Sequence, residues 1–416
     1  MEFKQFKNKD IGNNLGKEGE LIMKILHLGD LHIGKKVKEF NLIEDQKYVI
    51  DQLIEFIEKS IPNVVVISGD LYDRAIPPVE AIEVVNGFLN KIVLELKIPV
   101  IAIAGNHDSG ARLDFASTIL EKQGLYIEGK FKSDITKVTI NDEFGPVNFY
   151  LLPYADPAEV RELYEDENIK THDDAMKSII DRLSANFNRE ERNVAVAHGF
   201  ITYMKDGEDQ CGLELSESER PLSIGGTDKV SAQYFEMFNY TALGHLHGAQ
   251  KVGSDKIRYA GSPIKYSFSE VKQKKSFTII NMDDKGEVLT EFQSITPLRD
   301  MRVIQGPLEK LISKEVYESE DINVEDYIKV ILQDEEELID PLGRLRSVYK
   351  NLMEIEIQNK RKLGDNKTAA SEGFKEKSEM ELFKEFYENI SGESLEGEEL
   401  KIIQDTIKEV LREEVV

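Results

Sequence analysis

A single cysteine, Cys211, stands among 416 residues. No internal disulfide can form, and a thiolate metal site has no second sulfur to draw on. Long apolar runs are missing too. Charged residues interrupt every hydrophobic stretch before it reaches the roughly 18 to 20 residues that cross a bilayer. The N-terminus has no secretory hydrophobic core, since Lys4, Lys7, Lys9 and Asp10 punctuate it. These absences point to a cytoplasmic protein with no membrane partner. Positive charge is scarce as well: 53 Lys and Arg face 78 Asp and Glu, for a net charge of −25. That balance argues against phosphate-rich partners, but it is uneven along the chain. Residues Ser371 to Val416 hold 14 acidic and 6 basic side chains. The stretch from Lys256 to Lys275 runs the other way, with Lys256, Arg258, Lys265, Lys272, Lys274 and Lys275 against Asp255 and Glu270. It is a candidate strip for a DNA backbone. No phosphate-cradling Walker pattern and no internal repeat occur.

What is present is concentrated in five short islands: Asp30-Leu31-His32, Gly69-Asp70, Gly105-Asn106-His107-Asp108, His198-Gly199 and Gly244-His245-Leu246-His247. Five of the seven histidines lie in them. Asp, Asn and His without thiolate form a hard-to-borderline ligand set, suited to a pair of manganese, iron, zinc or magnesium ions rather than to a structural zinc. The reading is a two-metal phosphoesterase.

At this length two or three domains are expected. Residues 1–22 are polar and aperiodic, and Met23 opens a strong strand, so this segment reads as a leader or a mis-assigned start. From Met23 strands and helices alternate. Strands are expected at Ile25 to Gly29, Val64 to Ile67, Val100 to Ala104, Asn193 to Ala197 and Tyr240 to Leu243. Gln46 to Ile57 and Val79 to Leu94 read as helices. Continuous apolar strands between helices indicate an α/β sandwich whose sheets are covered by helices. Each island directly follows a strand, and ligands in open α/β folds gather outside the carboxyl ends of strands. Five strand ends therefore converge on one edge. The character changes near residue 271. Residues 271–358 read as a small α+β domain, with strands at Ser276 to Asn281, Val288 to Phe292, Met301 to Ile304 and Ile328 to Leu332, and helices at Leu308 to Ile312 and Pro341 to Met353. Residues 359–380 read as a linker. Glu381 to Ile390 and Glu399 to Val415 read as a helical pair within a C-terminal segment, 381–416.

Two ions a few ångströms apart need a ligand that touches both, and Asp70 is the candidate bridge because a carboxylate offers two oxygens. Asp30 and His32, two residues apart at a strand end, point to one face and can share a metal. His245 and His247 repeat that spacing. His107, next to the ligand Asn106, should face the substrate, stabilise developing phosphorane charge and protonate the leaving oxygen. Asp73 is the candidate to hold the His107 tautomer; the alternative for it is a surface pair with Arg74. His27, between leucines, reads as a hydrogen-bonded core residue. His172, in Thr171-His172-Asp173-Asp174, reads as a solvated helix start.

Together the islands resemble the calcineurin-like metallophosphoesterases. Three longer stretches bring the likeness to the SbcD family of nuclease subunits: Gly105 to Leu113, Ala242 to His247, and Ala260-Gly261-Ser262-Pro263-Ile264-Lys265-Tyr266-Ser267-Phe268-Ser269-Glu270. The likeness covers roughly residues 23–355, and the last stretch is its most specific part, since the metal motifs are shared with many phosphatases. The resemblance implies a β-sandwich nuclease domain over 23–270, flanked by helices and followed by a small capping domain. It implies that Asp30, His32, Asp70 and His247 hold one metal and Asp70, Asn106, His198 and His245 the other. His107 would be the catalytic histidine and Asp73 its partner, although some relatives carry a histidine near the Asp73 position. Manganese is the implied ion, with magnesium or another divalent cation as substitute. The implied activity is ATP-regulated 3′-5′ double-strand exonuclease and single-strand or hairpin endonuclease cleavage, serving DNA repair, recombination and replication. The implied assembly is a homodimer within a heterotetramer, whose C-terminal helices bind a coiled-coil ATPase of the SbcC type. A small-substrate phosphodiesterase or phosphatase using the same metals is the main rival, and a non-catalytic scaffold the other.

Overall fold

A computed structural model describes residues 23–358 apart from 186, 206–207, 210–211, 220–227, 320–321, 335 and 337, together with 383, 384, 387, 400 and 403 of the tail. The segment 1–22, the linker and nearly all of the expected C-terminal helical pair lie outside the described residues. Contacts divide the chain into two units, one of residues 1–331 with 340–356 and the other of 332–339 with 357–416.

Within the first unit the chain lays down four parallel strands: β1 (Met23–Leu28), β2 (Val64–Ile67), β3 (Val100–Ile103) and β4 (Leu125–Glu128). It then crosses to a second sheet with β5 (Lys137–Asp142), β6 (Gly145–Leu152), β7 (Arg192–His198), β8 (Tyr240–Gly244), β9 (Gln250–Val252) and β10 (Ser254–Tyr259). Strands β11 (Ser276–Met282) and β12 (Val288–Ser294) return to the first sheet. The sheets run β12-β11-β1-β2-β3-β4 and β9-β10-β8-β7-β6-β5.

Burial on both faces explains why these strands read as unbroken apolar runs. In β1, Met23 and Ile25 point between the sheets, where they meet Val64, Val66, Ile101, Val147, Phe149, Val194 and Tyr240. Leu26 and Leu28 point the other way, onto Val49, Leu53 and Ile57 of α1 (Ile43–Ser60) and Phe88 of α2 (Val79–Leu89). The second sheet buries Tyr150, Leu152, Ala195, Ala197 and Leu243 against Val160 of α3 (Pro157–Tyr164) and Ala175, Ile179 and Ile180 of α4 (His172–Ser184). The result is the expected helix-covered α/β sandwich.

Three elements differ from expectation. The chain beyond residue 271 does not leave the sandwich at once: β11 pairs antiparallel with β1, Met23 opposite Met282, and β12 continues the sheet. Pairing between segments so far apart in sequence has no local signature. The expected helix after Val79 ends at Leu89 and continues as a π-helical turn, Asn90–Glu95. The helix expected over Pro341 to Met353 stops at Arg346. Its end belongs to a strand, β15 (Leu352–Ile357), which joins β13 (Met301–Gly306) and β14 (Tyr327–Leu332) in a small third sheet. Asp45 of α1 ties the start of this region down. Its carboxylate accepts from Arg299 at 2.7 and 3.0 Å and from the Tyr327 hydroxyl at 2.7 Å. In the second unit, Gln358 N–H donates to the Leu332 carbonyl (2.8 Å).

Candidate metal centre

The carboxyl ends of β1, β2, β3, β7 and β8 lie side by side, and the loops that leave them are stitched by main-chain bonds. Asp30 N–H donates to the Gly69 carbonyl (3.2 Å) and His32 N–H to the Asp70 carbonyl (2.9 Å). Two glycines make this closeness possible. A Cβ at Gly105 would land on the Asp70 carboxylate, and one at Gly244 on the Ser68 carbonyl. Four side-chain-bearing residues here adopt positive φ: Asp30 (53°), His32 (45°), Asp70 (53°) and His245 (114°). Non-glycine residues rarely take up that backbone. It turns their side chains together at the sheet edge.

Three overlapping groups of ligand atoms result, each within 4.8 Å: Asp30 with His32 and His247, Asp30 with Asp70 and His198, and His32 with Asp73 and His107. Asp70 Oδ2 lies 3.6 Å from His32 Nε2 and 3.5 Å from His198 Nε2, between the first two groups. Its other oxygen accepts from His107 N–H (2.9 Å). Asn106 Oδ1 is 3.0 Å from His198 Nε2, and His32 and His247 bring their Nε2 atoms to 3.1 Å. His245 falls in none of the three groups. Its ring packs edge-on against His198 with centroids 5.5 Å apart, and its N–H donates to Asp30 Oδ1 (2.8 Å).

Burial sets the charge states. Asp30, His32, Asp70, His198, His245 and His247 are all nearly inaccessible to solvent. Burial drives the imidazoles toward the neutral form, His198 and His247 to about 4 and His32 and His245 well below their ordinary value. Burial likewise raises Asp70 to about 6, and burial together with the Asp70 charge raises Asp30 well above its ordinary value. Neutral imidazoles are ligand-competent, and two adjacent buried carboxylates repel each other unless a cation offsets them. Among the described residues Asp30 Oδ2 and His32 Nδ1 are buried without a hydrogen-bond partner, which native interiors avoid unless something else satisfies them. His198 Nδ1 donates to the Ser68 carbonyl (2.8 Å), so Nε2 carries the lone pair that faces the cluster. The donor set fits two divalent ions.

His107 is half-buried beside this cluster, its ring edge-on to His32 at 4.7 Å. Asp73 does meet the His107 ring as expected, but through its main chain and not its carboxylate. His107 Nδ1 donates to the Asp73 main-chain carbonyl (2.8 Å), while the carboxylate binds Lys35 (2.8 Å) and lies 3.9 Å from Arg74 and from His32 Nδ1. The ammonium of Lys35 competes for that carboxylate and wins it. Most of the basic strip is paired with acidic side chains. Lys275 is buried against Glu270, Arg258 is buried and paired with Asp255, Lys256 meets Glu287 and Lys265 meets Asp300. Lys272 and Lys274 are the exposed remainder. His27 is the core residue expected, bound to the Tyr240 hydroxyl (2.8 Å) and Ser68 Oγ (3.1 Å). His172 does begin a helix, behind a Thr171–Asp174 capping box, but it is buried, not solvated, with Nε2 3.4 Å from the Tyr154 hydroxyl.

Several supporting residues went unrecognised in the sequence. Asp108 accepts from the N–H groups of Leu71 (3.1 Å), Tyr72 (3.0 Å) and Gly105 (3.0 Å), locking two ligand loops together. Burial and the Asp70 charge push it to about 7 against those three bonds. Glu219 accepts from His247 N–H (2.7 Å). Glu270 lies 3.3 Å from His247 Nδ1. Asp108 and Glu270 sit inside conspicuous motifs, but their spacing carried no hint of what they hold.

A family model described as calcineurin-like phosphoesterase matches residues 23–249, more than half of the chain. The chain belongs to that family and is a metal-dependent phosphoester hydrolase. A second model, SbcD_C, described as type 5 capsule protein repressor C-terminal domain, matches residues 297–390. Together the two matches make it an SbcD-type member of the superfamily. Among solved structures it is similar to TT1561 of Thermus thermophilus, with 10% identity over 65% of this chain and 99% of that one and a TM-score of 0.35. A dimetal phosphatase from Danio rerio, LOC 393393, matches with 10% identity over 67% and 98% and a TM-score of 0.37. Among the described residues no helix is long and apolar enough to cross a membrane.

Proposed function

We propose that this chain is a two-metal DNA nuclease that works with a coiled-coil ATPase of the SbcC type, cutting double-strand ends exonucleolytically and hairpins or single strands endonucleolytically. The observation that carries the reading is the convergence of Asp30, His32, Asp70, Asn106, His198, His245 and His247 at one sheet edge with His107 beside them, in a chain whose C-terminal part matches the SbcD_C model. Asp30, His32, Asp70 and His247 would hold one ion and Asp70, Asn106, His198 and His245 the other, with Asp70 shared. Manganese fits this donor set, as do other divalent ions. When bound, the ions activate water and stabilise charge on the phosphoryl oxygens.

The protein's own groups do the rest. The Asp70 carboxylate, anchored by His107 N–H, keeps both halves of the site in register. The Asp73 carbonyl fixes His107 with its proton on Nδ1, which turns Nε2 toward the space beside the ligands. In the charged form Nε2–H donates to a phosphate oxygen and can pass its proton to the leaving oxygen. Burial of the ligand histidines keeps bulk water away from the reacting centre.

One observation favours the rival reading, a small-substrate phosphodiesterase: the basic strip is mostly consumed in ion pairs. The test is manganese-dependent cleavage of hairpin-ended duplex DNA beside a simple phosphodiester, with and without the ATPase, for the native protein and His107→Ala. DNA cleavage lost in the variant, with metal still bound, supports the nuclease. Hydrolysis of the simple ester alone, even with the ATPase present, moves the assignment to the rival.

A further inference from the structure

We infer that Glu270, held by Lys275, is the positioning residue of His247, fixing which nitrogen of that imidazole is offered to a metal. The inference rests on the reading of His247 as a ligand. His198 and His107 are oriented by main-chain carbonyls, those of Ser68 and Asp73. His247 differs: its Nδ1 faces a side-chain pair, Ser218 Oγ at 2.7 Å and the Glu270 carboxylate at 3.3 Å. Ser218 Oγ donates its own proton to Glu270 Oε1, so it accepts from the ring. Nδ1 therefore carries the proton and Nε2 keeps the lone pair, 3.1 Å from His32 Nε2 in the ligand cluster.

Glu270 is completely buried. A buried carboxylate is costly unless it is paired and hydrogen-bonded, and Lys275 supplies the pair, with Nζ 2.6 Å from Oε2. The same ammonium donates to the His247 carbonyl (2.9 Å) and to Ser262 Oγ (2.9 Å). With Glu219 on its N–H, residue 247 is gripped at its amide, its carbonyl and its ring. Such a grip is more than packing requires. A buried ion pair adds little net stability and is often replaceable by neutral groups, whereas a carboxylate behind a ligand histidine fixes its tautomer and strengthens it as a donor.

The test compares the native protein with Glu270→Gln and with the double variant Glu270→Gln/Lys275→Met, which removes both charges together and so avoids a lone buried ammonium. Imidazole nitrogen NMR on metal-free protein reads the His247 tautomer, and calorimetric titration with manganese reads affinity at each site. In the native protein the Nδ1–H form is expected, with mixed tautomers in both variants. One of two manganese affinities should fall about 10- to 100-fold, the usual cost of losing such a partner, while the other stays unchanged. Should Glu270→Gln fail to fold, the double variant gives the same readings. An unchanged His247 tautomer, or two unchanged affinities in the folded variants, overturns the inference. Native protein that binds no manganese while showing the Nδ1–H form would instead overturn the metal-centre reading.

Discussion

Asp70→Asn should stabilise the metal-free protein while destroying its metal site. Burial holds the Asp70 carboxyl at about 6, against an ordinary value of 3.8. The native state therefore keeps a proton that the unfolded chain has released, and stability falls as pH rises through that window. Above the folded value the full difference is felt. About two pKa units at 1.36 kcal/mol each amount to ~3 kcal/mol of destabilisation at pH 8. Asparagine removes that charge. Its amide can donate to His32 Nε2 or His198 Nε2, which flank the present Oδ2 at 3.6 and 3.5 Å, and its oxygen can still accept from His107 N–H. Thermal or urea unfolding in chelator, at pH 4 and at pH 8, is the assay. At pH 8 the variant should be more stable by ~3 kcal/mol, which for a chain of this size is a rise of several degrees. At pH 4, where the native carboxyl is protonated and most of the cost is absent, the gain should largely vanish. Saturating manganese should reverse the order. A variant less stable than the native protein in chelator at pH 8, or a gain equal at both pH values, would refute the reasoning.

Three further outcomes follow from the geometry. Gly244→Ala should lose about 1–3 kcal/mol of stability, as overfilled sites do, together with metal affinity, because the new Cβ meets the Ser68 carbonyl that also holds His198; chemical unfolding and metal titration check both. Asp73→Asn should retain cleavage to within about tenfold, since the His107 contact is main-chain, whereas His107→Ala should lose about 10²- to 10⁴-fold, the range of general-acid contributions; single-turnover rates decide between them. Divalent ion at 100 times its dissociation constant should add about 2.7 kcal/mol per independent site, read as a rise in melting temperature that EDTA abolishes.

The convergence of the islands on one sheet edge was legible because it needed only local facts. Val64-Val65-Val66-Ile67 is apolar on both faces, so it announces a buried parallel strand, and Gly69-Asp70 follows it at once. Whatever depended on distant partners was not legible. Leu352-Met353-Glu354-Ile355-Glu356-Ile357 alternates like a strand, yet a helical pattern laid over Pro341 onward absorbed its start. Nothing in Ser276 to Met282 says that its partner lies at Met23 to His27. Charges could be counted along Lys256 to Lys275, but not the side to which each turns, and Lys275 and Arg258 turn inward. Asp73 stood at the right spacing, while which of its oxygens would be used depended on Lys35.

Because β11 lies between β12 and β1 while the candidate ligands span Asp30 to His247, a growing polypeptide completes this edge late. The nucleotides encoding Asp30 are translated long before those for His247, and the strand that flanks β1 ends only at Met282. A phosphoester hydrolase built this way has no complete site until most of its chain has been made, and the arrangement of strands itself sets that delay.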